Sequence, residues 1–465
     1  MRSAWWLMAL LLPASGQQQP VAPMKLEDVL ASVEKHYPPL LIALQDKVVA
    51  DADVTAAEGK FDLALKGGYD GDYLGTYRND VYRAGVEQYS QFQGMQYFAG
   101  YTLGQGRFPS YEGKQKTDAA GEYKVGLKMP VLRDRETDSR RADLKKALIG
   151  RRIAELGVDQ QRLLIVQLAT RRYYDWIAAG RRFEIARGVL KTAEARDAQL
   201  KEASSLGQIP AIDVTDNQKA IRTRRAQVIE AERALMQASI ELSLYYRNER
   251  GQPVLPAAEM LPASFPGMQS YEMSRLQDDI DLAIKRRPEI RRFQEQRSQV
   301  EVDRKLAQNQ LLPGVDVVFS YTRQTGEREV ARGPNDLVAA LVFDMPAQRR
   351  AAKGKERSAL AKIEQFDQRE RFARDQVTAE VRDAYSALQA AYERAKVLRE
   401  ELEITEQLET AERVRFELGE GTLFLVNLRE QATFDTALRE VAAANEYFRA
   451  QALYDFAVAE ALRRK

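Results

Sequence analysis

The chain has 465 residues, with 70 Lys and Arg against 68 Asp and Glu, one His and no Cys. The near-neutral balance lacks the basic field that attracts nucleic acid. Without Cys there are no disulfides, thiolate metal sites, cysteine nucleophiles or acylated-Cys anchors. The one imidazole, His36, precedes Tyr37-Pro38-Pro39 and reads as a helix-end residue. No catalytic, cofactor-binding or metal-ligating constellation is left, so an enzyme is disfavoured.

In chain order, residues 1–16 read as a secretory signal peptide. Arg2 supplies the charge, Trp5 to Leu12 the apolar centre, and Ala14-Ser15-Gly16 the cleavage site. Later apolar runs are too short for a spanning helix, which needs about 20 residues. A helix is expected over 24–59. Residues 63–78 then alternate, with Leu65, Tyr69 and Tyr73 on one face against Lys66, Asp70 and Asp72 on the other, which predicts a strand. Residues 79–118 follow as a long aromatic connection that either extends the strands or folds over a mouth. Glu122 to Met129 forms a second strand ended by Met129-Pro130, since Pro cannot donate into a ladder. Arg133 to Leu206 contains no Pro and predicts one very long helix. A glycine turn at Leu206-Gly207 leads to a helix over 214–247.

Prolines 253, 256, 262 and 266 forbid a helix through 248–272, which becomes the connector. The plan then repeats. A helix is expected over 273–310, strands over 315–322 and 337–344, a long helix over 347–418, a glycine turn at Leu418-Gly419 and a helix over 428–464. The domains are therefore 1–16, a first structural repeat 17–247, the connector 248–272 and a second structural repeat 273–465. Seams stepping by three and four support side-by-side helix packing, in Phe183, Ala186, Leu190, Ala193, Asp197 and Leu200 and again in Leu388, Ala391, Ala395, Leu398, Leu402 and Thr405, and the small residues among them permit close approach. Two short helices stacked end to end match one long helix, which suggests a long helical cylinder. The many other helical Asp and Glu read as solvated charge patterns.

The strands suit a barrel with an apolar outside and a wet lumen. Four strands cannot close a barrel, and lipid does not tolerate an open edge. Three chains would supply twelve strands and two would supply eight, where side chains fill the interior. A conduit favours three.

These features together resemble the TolC-type outer-membrane efflux proteins. The resemblance is carried by Leu26-Glu27-Asp28-Val29-Leu30 before Pro38-Pro39, and by Ile280-Asp281-Leu282-Ala283-Ile284 before Arg287-Pro288-Glu289. The strand ends Met129-Pro130-Val131-Leu132-Arg133-Asp134 and Phe343-Asp344-Met345-Pro346 and the two glycine turns complete it. It implies a mainly α fold with a β-barrel part: an α-barrel tunnel in the periplasm and a homotrimeric 12-stranded barrel in outer-membrane lipid of a Gram-negative-type bacterium. It implies an exit duct for tripartite efflux or type I secretion, docked to a periplasmic adaptor (membrane fusion) protein and through it to an inner-membrane pump. The adaptor-docking tips would be Leu206, Gly207, Gln208 and Ile209 with Leu418, Gly419, Glu420 and Gly421. The periplasmic gate would involve Asp213 and Asp216, with Val426 and Arg429 where acidic residues are expected. An acidic cation filter and an Asp–Arg latch both remain open. So does a different class of function, a periplasmic coiled-coil adaptor or scaffold without a pore.

Overall fold

The computed structural model describes residues 22–330 and 333–462. The expected signal peptide lies outside the described residues. Eight α-helices and six strands follow in order among them. The first half holds α1 (Leu26–His36), α2 (Pro38–Glu58), β1 (Ala64–Asp72), β2 (Asn79–Tyr89), β3 (Gln96–Gly106), β4 (Glu122–Pro130), α3 (Ser139–Ser205) and α4 (Ala211–Ser243). The second holds α5 (Leu276–Arg286), α6 (Pro288–Asn309), β5 (Gly314–Gln324), β6 (Asn335–Asp344), α7 (Arg350–Glu417) and α8 (Leu423–Ala457).

Proline sets the helix breaks. A residue before Pro is pushed out of the α region, and Tyr37 (ψ 118°) and Arg287 (ψ 121°) are both extended. The single helices expected over 24–59 and 273–310 are therefore each split in two. His36 is the last residue of α1, where a basic side chain suits the helix dipole. No Pro interrupts α3 or α7, which run for 67 and 68 residues. Helices α4 and α8 begin at 211 and 423, earlier than the expected 214 and 428. No described helix is long and apolar enough to cross a membrane.

The chain forms two compact units, and each draws on both sequence halves. One comprises residues 22–38, 164–276 and 382–457. Its helix seams are those the periodicity marks: Ala186, Ala193 and Leu200 are buried on α3, and Leu388, Ala391 and Ala395 on α7. The connector 248–272, most of it exposed, is anchored at intervals. Leu261 lies directly over Gly180, where a Cβ would collide with it. Phe265 stacks on Phe448 at 5.5 Å between ring centroids, and the Gln269 N–H donates to the Tyr447 hydroxyl at 2.9 Å.

The second unit comprises residues 39–163, 277–381 and 458–462 and contains the sheet. The four expected strands are present, but two more lie between them. The segment 79–118 is not simply a connection. It contains β2 and β3, and the sheet runs β1-β2-β3-β4-β5-β6, antiparallel throughout. The first strand ends at Asp72, not Arg78, because Gly75 turns the chain with φ +108° into β2. Four strands per chain is thus corrected to six.

Register gives the sheet a mainly apolar face and a mainly charged one, with Asp80 and Arg323 the charged residues on the apolar side, near the strand ends away from the helices. Paired residues share a face, so Leu65, Val86, Ala99, Val125, Tyr321 and Leu337 line one side through Leu65↔Val86↔Ala99↔Val125↔Tyr321↔Leu337. Tyr69, Tyr82, Tyr101, Tyr123 and Phe319 lie on the same side. The opposite side carries ion pairs: Lys66 with Glu87, Arg83 with Asp70, and Lys128 with Asp316 at 2.8 Å.

Residues 107–121 cross this polar side near the end of the sheet away from the helices. A Cβ on Gly104 would fall on the Gln115 carbonyl oxygen, and Arg83 donates to the Gln115 side chain at 3.1 Å. The strap buries Val81 to 1% exposure although it lies on the polar face. Asp118 ties the strap to the β5–β6 turn by accepting the N–H groups of Glu329 and Val330 at 2.9 and 3.1 Å.

Candidate functional site: the end of the helical unit with both glycine turns

Helix α3 ends in a Schellman turn. The Gly207 N–H donates to the Ser204 carbonyl at 3.0 Å and the Gln208 N–H to the Ala203 carbonyl at 2.9 Å. Helix α7 ends the same way: Gly419 donates to Phe416 at 3.0 Å and Glu420 to Arg415 at 2.8 Å. Both glycines sit at left-handed φ, +70° and +79°, which costs a side-chain-bearing residue energy. Nothing lies within 4 Å of a Cβ at either position, so the demand for Gly is purely conformational. Gly421 is different, since a Cβ there would meet the Phe416 backbone at 3.1 Å.

The two turns lie at the same end of this unit. Arg196 of α3 bonds Asn427 (3.2 Å) and Glu430 of α8. At 1.5 Å per residue, Leu206 lies about 15 Å past Arg196 and Gly419 about 17 Å past Glu430 in the same direction. Leu206 and Leu418 project there, 66% and 70% exposed. Gln208 and Glu420 are also exposed, and Ile209 is half-buried. The end therefore presents two tight turns, each flanked by an apolar side chain.

The expected gate residues separate into three situations. Asp213 stands in the first turn of α4, where a carboxylate suits the helix dipole, and is half-buried. Asp216 and Arg429 are exposed, and none of the three makes an ion pair among the described residues. An Asp–Arg latch is not formed within one chain. Val426 is 1% exposed, so its side chain belongs to the packing of α8 and not to an open surface.

A charge cluster that the sequence patterns do not mark lies one to two turns further in. Glu430 is 3% exposed and is held by Arg196, by Arg224 of α4 at 2.6 Å and by Arg413 of α7 at 3.3 Å. Arg224 is itself 4% exposed and also donates to the Val189 carbonyl at 3.4 Å. Burial pushes the Glu430 carboxyl up, but hydrogen bonds and charge from Arg196 and Arg224 outweigh it and hold it below its ordinary range. One carboxylate thus joins α3, α4, α7 and α8 just behind the turns. In the sequence, Glu430 looks like any other helical Glu.

No family model and no curated protein matches this chain. Solved structures do match it. The open state of the Neisseria gonorrhoeae MtrE outer-membrane channel aligns with a TM-score of 0.67 at 15% identity, covering 93% of this chain and 88% of that one. The Vibrio cholerae outer-membrane protein VceC gives 0.64 at 14% identity over 93% and 96%, and the Campylobacter jejuni CmeC outer-membrane channel gives 0.63 at 12% over 98% and 94%. The fold is that of the outer-membrane efflux channels, the TolC-type family that the motifs resemble.

Proposed function

We propose that this chain, folded as outer-membrane efflux channels are, is itself an outer-membrane exit duct. The observation that carries the reading is the sheet. Its strands run 9 to 11 residues, the length that spans a bilayer when tilted. One face is apolar across all six strands except for Asp80 and Arg323 near the strand ends, and the other carries the remaining charges, the arrangement of a barrel with lipid outside and water inside. β1 pairs only with β2 and β6 only with β5, so two edges stand open. Lipid does not tolerate open edges, so other copies of the chain close them, as a homotrimer. The helices then form a tunnel on the periplasmic side.

The chain serves tripartite efflux or type I secretion, and the turns at 206–209 and 418–421 dock a periplasmic adaptor that links the duct to an inner-membrane pump. Their common end and exposed leucines support this. The two sequence halves are copies of one plan. This is supported by paired helix lengths of 11 and 11, 21 and 22, 67 and 68, and 33 and 35 residues. Asp213, Asp216 and Arg429 form the gate between neighbouring chains.

Membrane fractionation and planar-bilayer recording of the purified protein test the duct. The expected result is a detergent-requiring outer-membrane protein that conducts. A freely soluble, non-conducting protein would instead identify a periplasmic scaffold. Arg429→Ala tests the gate. It should raise conductance if a latch holds the end shut, or strengthen cation preference if the acids act as a filter.

A further inference from the structure

From the six-stranded sheet we infer that the exit barrel of this protein has eighteen strands, not the twelve that four strands per chain would give. The inference rests on the homotrimeric duct proposed above and deepens it by assigning the width of its bore. β2 and β3 belong to the spanning sheet, since the β2–β3 ladder runs without a break from Asn79↔Gly106 to Tyr89↔Gln96. Their apolar side continues that of their neighbours through Tyr82, Ala84, Tyr97 and Tyr101. A hairpin projecting into water beyond the membrane would have no use for such a side.

The hairpin is also fastened at its helix-side turn. A Cβ on Gly94 would collide with the Asp134 carbonyl, and the Arg140 guanidinium lies 3.4 Å above the Tyr89 ring centroid. Gln88 donates to the Phe61 carbonyl at 3.3 Å. The β2–β3 turn is therefore seated beside the start of α3, level with the helix-side ends of the other strands. Because the count is even and all pairings are antiparallel, β6 of one copy meets β1 of the next in antiparallel sense.

Strands about 4.8 Å apart and tilted by about 40° close at a radius of roughly 18 Å for eighteen strands and roughly 12 Å for twelve. The strap 107–121 is a second, independent argument for the larger number. It lies on the polar, lumen-facing side, so a trimer carries three of them inside the bore. A packed layer takes up about 10 Å. Three straps would stop a bore of about 12 Å radius and leave a water-filled opening in one of about 18 Å.

The absence of native Cys makes cross-linking clean. In membranes, the pair Leu65→Cys with Val86→Cys should become oxidised and lose thiol labelling, since these residues face each other across β1 and β2. The pair Leu65→Cys with Met129→Cys should stay reduced, because two strands separate β1 from β4, about 14 Å. Single-particle imaging of the cysteine-free protein in detergent should count eighteen strands in a trimer. A trimer with twelve strands, with the 65–129 pair linked and the 65–86 pair free, would overturn the inference and leave the duct intact. A protein that is not trimeric, or does not enter the membrane, would overturn the reading on which it rests.

Discussion

The two compact units use charge in opposite ways. On the sheet, Arg83–Asp70 and Lys66–Glu87 join neighbouring strands on a face open to water, and at least one partner in each pair is largely exposed. Among the helices behind the glycine turns, Glu430 and Arg224 are almost wholly buried and bind one another directly. An exposed pair gains little over hydration, about 0–1 kcal/mol. A buried pair is different: removing one partner strands the other without water, at about 3–5 kcal/mol. The sheet's charges therefore keep one face wet, and the helical charges fix how four helices meet.

The largest effect should come from separating Glu430 from its arginines. Glu430→Ala should lower stability by about 3–5 kcal/mol, read as a fall in the melting temperature of the detergent-solubilised protein. The effect has a pH signature. The folded carboxyl lies below its ordinary value of 4.5, so its contribution is complete above that value and is lost as pH falls through the lower folded one. The gap in melting temperature between the native chain and Glu430→Gln should accordingly be widest near neutrality and close on acidification. A gap independent of pH would mean that packing, not charge, carries the site.

Gly104→Ala should come next. Its methyl group would strike the strap backbone, and overpacking of this kind costs about 1–3 kcal/mol. Limited proteolysis should then cut within 107–121 faster, while the helical unit stays resistant. Gly207→Val or Gly419→Val should cost about 1–2 kcal/mol, for the left-handed φ alone. Membrane insertion should be retained and adaptor capture lost; retained capture would remove these turns from docking. The smallest effect belongs to Asp70→Asn on the sheet, below about 1 kcal/mol and shrinking further in salt. A loss as large as that at Glu430 would erase the contrast between the two units.

The visibility of these features in the sequence follows how local their causes are. Uninterrupted helix-forming runs extend α3 and α7, whereas the breaks at Pro38 and Pro288 lie hidden inside the helices expected over 24–59 and 273–310, because a proline is also accepted at the first position of a helix. A glycine after a long helix closes a Schellman turn through bonds that span only five residues. β1, β4 and β5 announce themselves by alternation. β2 and β3 do so poorly, because Gly85, Gly100, Gly104 and Gly106 dilute the pattern and Val81 and Phe98 fall on the polar side. Their pairing with β1 and β4 makes them strands, and pairing is a property of the assembled sheet.

The same divide separates the two ends of the candidate site. The chain by itself determined the turns, the acidic start of α4 and the helix seams, since each depends on residues within a few positions of one another. Only the tertiary structure decided that Val426 is packed away, that Glu430 is buried among three arginines, and that the segment 79–118 widens the sheet. Burial and strand pairing bring together groups far apart in the chain, such as Arg196 and Glu430 at 234 positions and Asp175 and Asn445 at 270, and periodicity within one segment carries no information about its partner.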